Sequence, residues 1–143
     1  EWGVRVARDL GVGEDCLRDV EIAALLHDIG KIGIPDAILQ KPARLSDDEY
    51  ALMKKHPEYG WAIVRLLPEF ERASLFVLHH HECWDGSGYP AGLAGAEVPL
   101  PARIVSVIDA FDAMTSNRPY RTGLPFEEAV RRLLDCRHTQ FDP

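Results

Sequence analysis

Five of the six histidines stand in three places: His27, His56 and the run His79-His80-His81. His27 is followed by Asp28 at the end of the apolar stretch AALLHDIG, and Lys31 comes three residues later. Neutral imidazole and ionised carboxylate both bind borderline divalent metals, and a mixture of the two suits Mn, Fe, Ni or Zn. A His-Asp pair in the last turn of a buried helix aims two donors into a bundle core. His80 and His81 add two more from a second helix, while His79, about 100° round that helix, points elsewhere. His56 would come from a helix end. Asp109 lies in SVIDAFDAM beside an apolar stripe, where a bare carboxylate is costly to bury. Asp112, three residues on, shares nearly the same face. Two inward carboxylates on one apolar helix call for a cation or a strong donor.

Each of these residues alone has an ordinary explanation. A single helical histidine is more often a satisfied structural group than a ligand. The trio at 79–81 could be a solvated helix end, Asp109 and Asp112 could pair with Arg103 or Arg118, and Lys31 suits any helix C-terminus. Their joint occurrence weakens those explanations. Rival chemistries find little support: there is no GxSxG elbow, no Walker A loop and no HExxH. Cys83 is a poor nucleophile, because Glu82 and Asp85 beside it oppose a thiolate.

The elements that must carry these groups read as helices. One runs to about residue 10, a second over 17–29, and a turn over 36–39. Ser46-Asp47-Asp48-Glu49 is a capping box that starts another, which ends near His56. Two more, 57–67 and 68–82, each open with proline. After a Gly- and Pro-rich loop at 85–102, Pro101 opens a helix with Ile104, Val107, Ile108, Phe111 and Met114 at three- and four-residue steps. The last spans 125–136. Strand-like alternation is absent, so the class is all-α.

With 143 residues, 46% hydrophobic and 27% charged, the chain suits one domain with a core. No apolar run reaches the roughly 20 residues that span a bilayer, so no membrane contact is expected. Three widely spaced cysteines without a CxxC pair fit a reducing cytoplasm. A net charge of −7 with no basic run argues against duplex nucleic acid as a partner. Glu1 in place of a methionine and the apolar Phe141 near the end read as cuts from a longer protein.

HDIGK at 27–31, KHPEYG at 55–60, HHECWDGSGYP at 80–90 and VIDAFDAMTSNRPYR at 107–121 together resemble the HD-GYP family. That family is a branch of the HD-domain metal-dependent phosphohydrolases. The likeness runs from about residue 10 to residue 143, and TQFDP at 139–143 resembles the family's end-of-domain stretch. It implies a bundle of about six or seven helices around two or three divalent metals, Fe or Mn first and Ni or Zn next. The implied activity is hydrolysis of cyclic di-GMP to pGpG or GMP. Carried over by motif, His27 and Asp28 are ligands, with Asp28 bridging two ions. His56, His80 and His81 complete one ion, and Asp109 binds the other. Lys31 lies by the scissile phosphate. Gly88, Tyr89 and Pro90 form the signature loop, used for substrate and for partner domains of GGDEF type. Asp112, Arg118 and Arg121 fall on the substrate side. A homodimer is open, as are a non-catalytic sensor and another cyclic nucleotide as substrate. The family's first ligand is a histidine upstream of the HD pair, and residues 1–15 hold none.

Overall fold

Local sequence sets where each helix begins. A computed structural model of the chain describes residues 2–117 and 122–143, with eight α-helices among them. These are α1 (Trp2–Asp9), α2 (Glu14–Leu26), α3 (Asp36–Leu39), α4 (Asp47–Met53), α5 (His56–Val64), α6 (Glu71–His79), α7 (Leu100–Thr115) and α8 (Phe126–Asp135). Since α3 is a single turn, seven longer helices build the fold. Among the described residues, the sole β feature is an isolated bridge between Arg137 and Phe141.

The capping box is formed as expected. The Glu49 N–H donates to Ser46 Oγ at 3.3 Å, and the Ser46 N–H donates to Glu49 Oε2 at 2.7 Å. Several bounds differ from those expected of the sequence. The second helix starts earlier, with Glu14 and Asp15 in its first turn complementing the helix dipole. It ends at Leu26, so His27 and Asp28 stand on the turn beyond it, leading into a 3-10 segment, Ile29–Gly33. The stretch expected as one helix over 68–82 divides into a 3-10 turn, Pro68–Phe70, and α6. His80 therefore caps α6, and His81 and Glu82 lie past it. His56 opens α5 rather than closing α4, with Pro57 in its first turn where an N–H has no helical partner.

One core cluster joins Ala23 of α2, Val64 of α5, Phe76 and Val77 of α6, and Ala102 and Val105 of α7, with Val98 beside them. A second joins Ala7 of α1, Leu17 and Val20 of α2, and Ile104 of α7. Burying each valine, leucine or phenylalanine is worth about 1.5–3 kcal/mol. The alanines let α2, α6 and α7 approach closely, which brings the ends of α2 and α6 against one flank of α7. The stripe on α7 is fully buried only in its first half, at Ala102, Ile104 and Val105. Val107, Ile108, Phe111 and Met114 are half-buried. There α1, α2 and α7 leave a cavity of about 460 Å³ that reaches His27, Asp28 and Asp109.

No helix among the described residues is long and apolar enough to cross a membrane.

Candidate metal centre

Three of the histidines are set by the same local device. The Nδ1–H of His27 donates to the Ala24 carbonyl at 2.9 Å, that of His56 to Met53 at 2.8 Å, and that of His80 to Val77 at 2.6 Å. Each bond reaches three residues back along the chain. A neutral ring that donates at Nδ1 keeps its lone pair on Nε2, so the helix ends fix both tautomer and aim. His56 and His80 are almost wholly buried, and their Nε2 atoms have no hydrogen-bond partner. Leaving a buried polar atom unsatisfied costs about 1–3 kcal/mol. A cation at Nε2 would offset that cost.

His81 joins them from the turn after α6. One donor atom from each of His56, His80 and His81 falls within a 4.8 Å group. The ring centroids of His56 lie 5.4 Å from His80 and 5.0 Å from His81. His27 comes in from the turn that ends α2, 5.2 Å from the His80 ring.

Asp28 lies between this trio and a second group. Its Oδ1 is 3.5 Å from His56 Nε2, and its Oδ2 is 3.7 Å from His27 Nε2. Asp109 Oδ1 approaches His27 Nε2 at 3.5 Å from the opposite wall. The Lys31 ammonium donates to Asp28 Oδ2 at 2.6 Å. These distances depend on Gly30. A Cβ on Gly30 would lie 1.9 Å from the His56 carbonyl oxygen and 2.4 Å from the Gly60 nitrogen. Only a bare backbone lets the turn after Asp28 press against the start of α5.

The electrostatics divide the same way. Burial pushes His56 below its usual value, takes His81 down to about 4 and, with His81 beside it, takes His80 down to about 2. All three are therefore neutral at pH 7, with lone pairs free. His27 behaves oppositely: burial pulls it down, but Asp109 and Asp28 outweigh that and raise it. Its hydrogen bond to His27 lowers Asp109, which stays ionised. Three imidazoles with one carboxylate oxygen, beside one imidazole with two carboxylates, is the mixture of nitrogen and oxygen donors that suits borderline divalent metal.

The loop that follows is folded back onto this centre. The Tyr89 N–H donates to the His81 carbonyl at 3.2 Å, and the Tyr89 ring stacks on the His81 ring at 4.9 Å. A Cβ on Gly88 would sit 2.3 Å from the Cys83 nitrogen. Pro90, after a cis peptide bond, is exposed. Asp112 departs from its expected inward aim. It is exposed on α7 and accepts from the Ser116 hydroxyl at 3.3 Å, because the three-residue step from Asp109 carries it to the rim of the cavity. Arg118 and Arg121 lie outside the described residues. His79 turns away, toward Glu82. Arg103 pairs with Asp142 rather than with Asp109 or Asp112. Burial first, with Asp85 and Glu82, raises the Cys83 thiol, which fits its exclusion as a nucleophile.

One residue carries a role that its sequence position alone does not announce. Glu82 is 3% exposed, and its carboxylate accepts from the Ala91 N–H at 2.7 Å and the Leu93 N–H at 3.1 Å. A carboxylate placed directly before a Gly- and Pro-rich loop is the one local signal of it. The tail also contributes, since the N–H groups of Trp84 and Asp85 donate to the Gln140 and Thr139 carbonyls. It pins the loop from its other side.

A family model described as HD domain matches residues 1–143. The chain is 46% identical over 140 residues to the cyclic di-GMP phosphodiesterase response regulator RpfG of Xanthomonas campestris, covering 96% of this chain and 37% of that protein. It is 47% identical over 141 residues to a cyclic di-GMP phosphodiesterase of Thermotoga maritima, covering 97% of this chain and 38% of the relative. The chain thus spans less than two fifths of the length of either relative. Among solved structures, a Vibrio cholerae cyclic GMP-AMP-specific phosphodiesterase shares the fold with a TM-score of 0.75 at 22% identity, over 99% of this chain and 39% of that one. The helical architecture, the histidine cluster and the four motif strings agree with these likenesses: the chain belongs to the HD domain family, in its HD-GYP branch.

Proposed function

We propose that this chain is a metal-dependent phosphodiesterase domain that hydrolyses cyclic di-GMP to pGpG or GMP, as the output module of a longer cytoplasmic signalling protein. The observation that carries it is the pair of buried, unpartnered Nε2 atoms on His56 and His80, with the Asp28 carboxylate reaching His56 Nε2 through one oxygen and His27 Nε2 through the other. His56, His80, His81 and Asp28 would hold one ion, and His27, Asp28 and Asp109 the other, with Fe or Mn the favoured metals. Bound there, the metals would supply Lewis acidity toward the phosphodiester and lower the pKa of water.

The chain's own groups do the rest. Burial keeps the three imidazoles of the trio deprotonated at neutral pH, so the donors need no proton release before use. Lys31 supplies a fixed positive charge at the edge of the centre, able to neutralise a phosphoryl oxygen as charge builds on the leaving 3′ oxygen. Tyr89 forms a flat wall beside His81, against which a base or ribose can lie. Gly88 and Pro90 complete that loop, which also offers a contact for a GGDEF-type partner. Asp112 at the rim is assigned to the substrate, and Arg118 and Arg121, outside the described residues, to guanine or phosphate. No side chain is required as a covalent nucleophile.

The test is to load the full-length protein with Mn²⁺ or Fe²⁺, supply cyclic di-GMP and follow the nucleotides by chromatography. Appearance of pGpG or GMP is expected. Tight binding without either product, from protein shown to contain metal, would make the domain a sensor instead. Competition with other cyclic dinucleotides at equal metal ranks the substrates.

A further inference from the structure

Four histidines converge on the centre, but only three are aimed by a backbone carbonyl. Among the described residues, no hydrogen bond is made by the His81 ring. Besides its fellow donors His80 and His56, at 4.0 Å and 5.0 Å between ring centroids, the ring that meets it is Tyr89, stacked at 4.9 Å with 29° between the planes. Tyr89 itself is held at three points. Its N–H donates to the His81 carbonyl, Gly88 before it is packed against the Glu82–Cys83 backbone, and the loop beyond it is drawn in by Glu82 through the Ala91 and Leu93 amides. The carboxylate that anchors the loop is thus the neighbour in sequence of the imidazole the loop covers.

Resting on the metal reading above, we propose that Tyr89 is a positioning residue, its ring fixing the donor orientation of His81, and that Glu82 is the anchor that keeps Tyr89 there. The stacked face replaces the carbonyl that His27, His56 and His80 each have. An imidazole without either restraint can rotate about its side-chain torsions, and the ordering cost then falls on metal binding. The role belongs to the ring rather than the hydroxyl, so phenylalanine should serve and an aliphatic residue should not.

The experiment is a calorimetric titration of metal-free full-length protein with Co²⁺ alone, comparing wild type, Tyr89→Phe, Tyr89→Leu, His81→Ala and the double variant. Tyr89→Phe should bind as wild type, and Tyr89→Leu should weaken the affected site by about 10- to 100-fold, the range for groups that orient a ligand. The double variant should lose little beyond His81→Ala, because the two changes act on one ligand. Glu82→Gln should fall between. If Tyr89→Leu retains wild-type affinity while His81→Ala loses it, the positioning role is wrong and the metal reading stands. If His81→Ala also retains it, the metal reading fails and takes this inference with it. Partial unfolding of a variant lowers the binding stoichiometry but leaves the affinity of the folded fraction readable.

Discussion

The two halves of the centre are built on different principles. The His56, His80 and His81 half is buried at His56 and His80 and half-buried at His81, made of neutral rings, and aimed by backbone carbonyls or by a stacked tyrosine. The His27, Asp28 and Asp109 half is partly open, holds both carboxylates and one cation, and adds ion pairing to the carbonyl that aims His27. A buried site of neutral donors is rigid and remains unsatisfied until something occupies it. An open site with carboxylates can relax through Lys31, as Asp28 does at 2.6 Å. The first half should therefore bind metal more selectively and respond more sharply to loss of a side chain, while the second should exchange metal more readily.

The largest effect should come from the residue the two halves share. Asp28→Ala should remove bound metal from both and lower turnover by at least about a thousandfold, as expected when both ions of a dinuclear centre are lost. Metal analysis alongside product chromatography reads both. Next, His80→Ala should empty only the buried half and Asp109→Ala only the open one. Each should leave about half the metal content, which elemental analysis resolves. Equal loss from both halves in either variant would erase the distinction.

Gly30→Ala attacks the seam instead of a ligand. A methyl group 1.9 Å from the His56 carbonyl oxygen must push the turn off α5, at a cost of about 1–3 kcal/mol. A lower melting temperature together with weaker metal binding is expected.

Acid should also separate the halves. In metal-free protein, His80 and His81 are held down at about 2 and about 4, and His56 is lowered too. Below about pH 6.5 the unfolded chain takes up protons that the folded chain refuses, so stability falls as pH falls, by about 1.4 kcal/mol per unit for each such group. The contribution of His81 ends near pH 4, and that of His80 continues below it. His27 is raised and acts in the opposite sense, since its protonated form is favoured by folding. Three lowered rings against one raised ring give net loss, measurable as a falling denaturation midpoint between pH 6.5 and pH 4. The smallest effect is expected from Asp112→Asn: the residue is exposed at the rim, and metal content should be unchanged.

Much of this architecture is legible in the amino-acid sequence. The capping box at Ser46, the prolines opening helices and the apolar steps after Pro101 are local signals, and helices stand where they fall except at Pro68, which opens a 3-10 turn ahead of α6. The grouping of His27, Asp28, His56, His80, His81 and Asp109 is legible because donors of these types have few reasons to recur on apolar helices. Other features depend on contacts between distant segments. The close approach of Gly30, in the turn after α2, to the start of α5 is one that no local pattern encodes. Asp112 shares the Asp109 face only closely enough to reach the cavity rim, and Glu82 reads as an ordinary polar residue until its loop closes over it.

The central claim is that Asp28 joins two cations, one in each half. Anomalous diffraction from crystals of the full-length protein soaked in Mn²⁺ tests it most directly. Two peaks flanking the Asp28 carboxylate, one against His56, His80 and His81 and the other against His27 and Asp109, are the predicted result. Metal bound in either half with Asp28 touching no ion would contradict it.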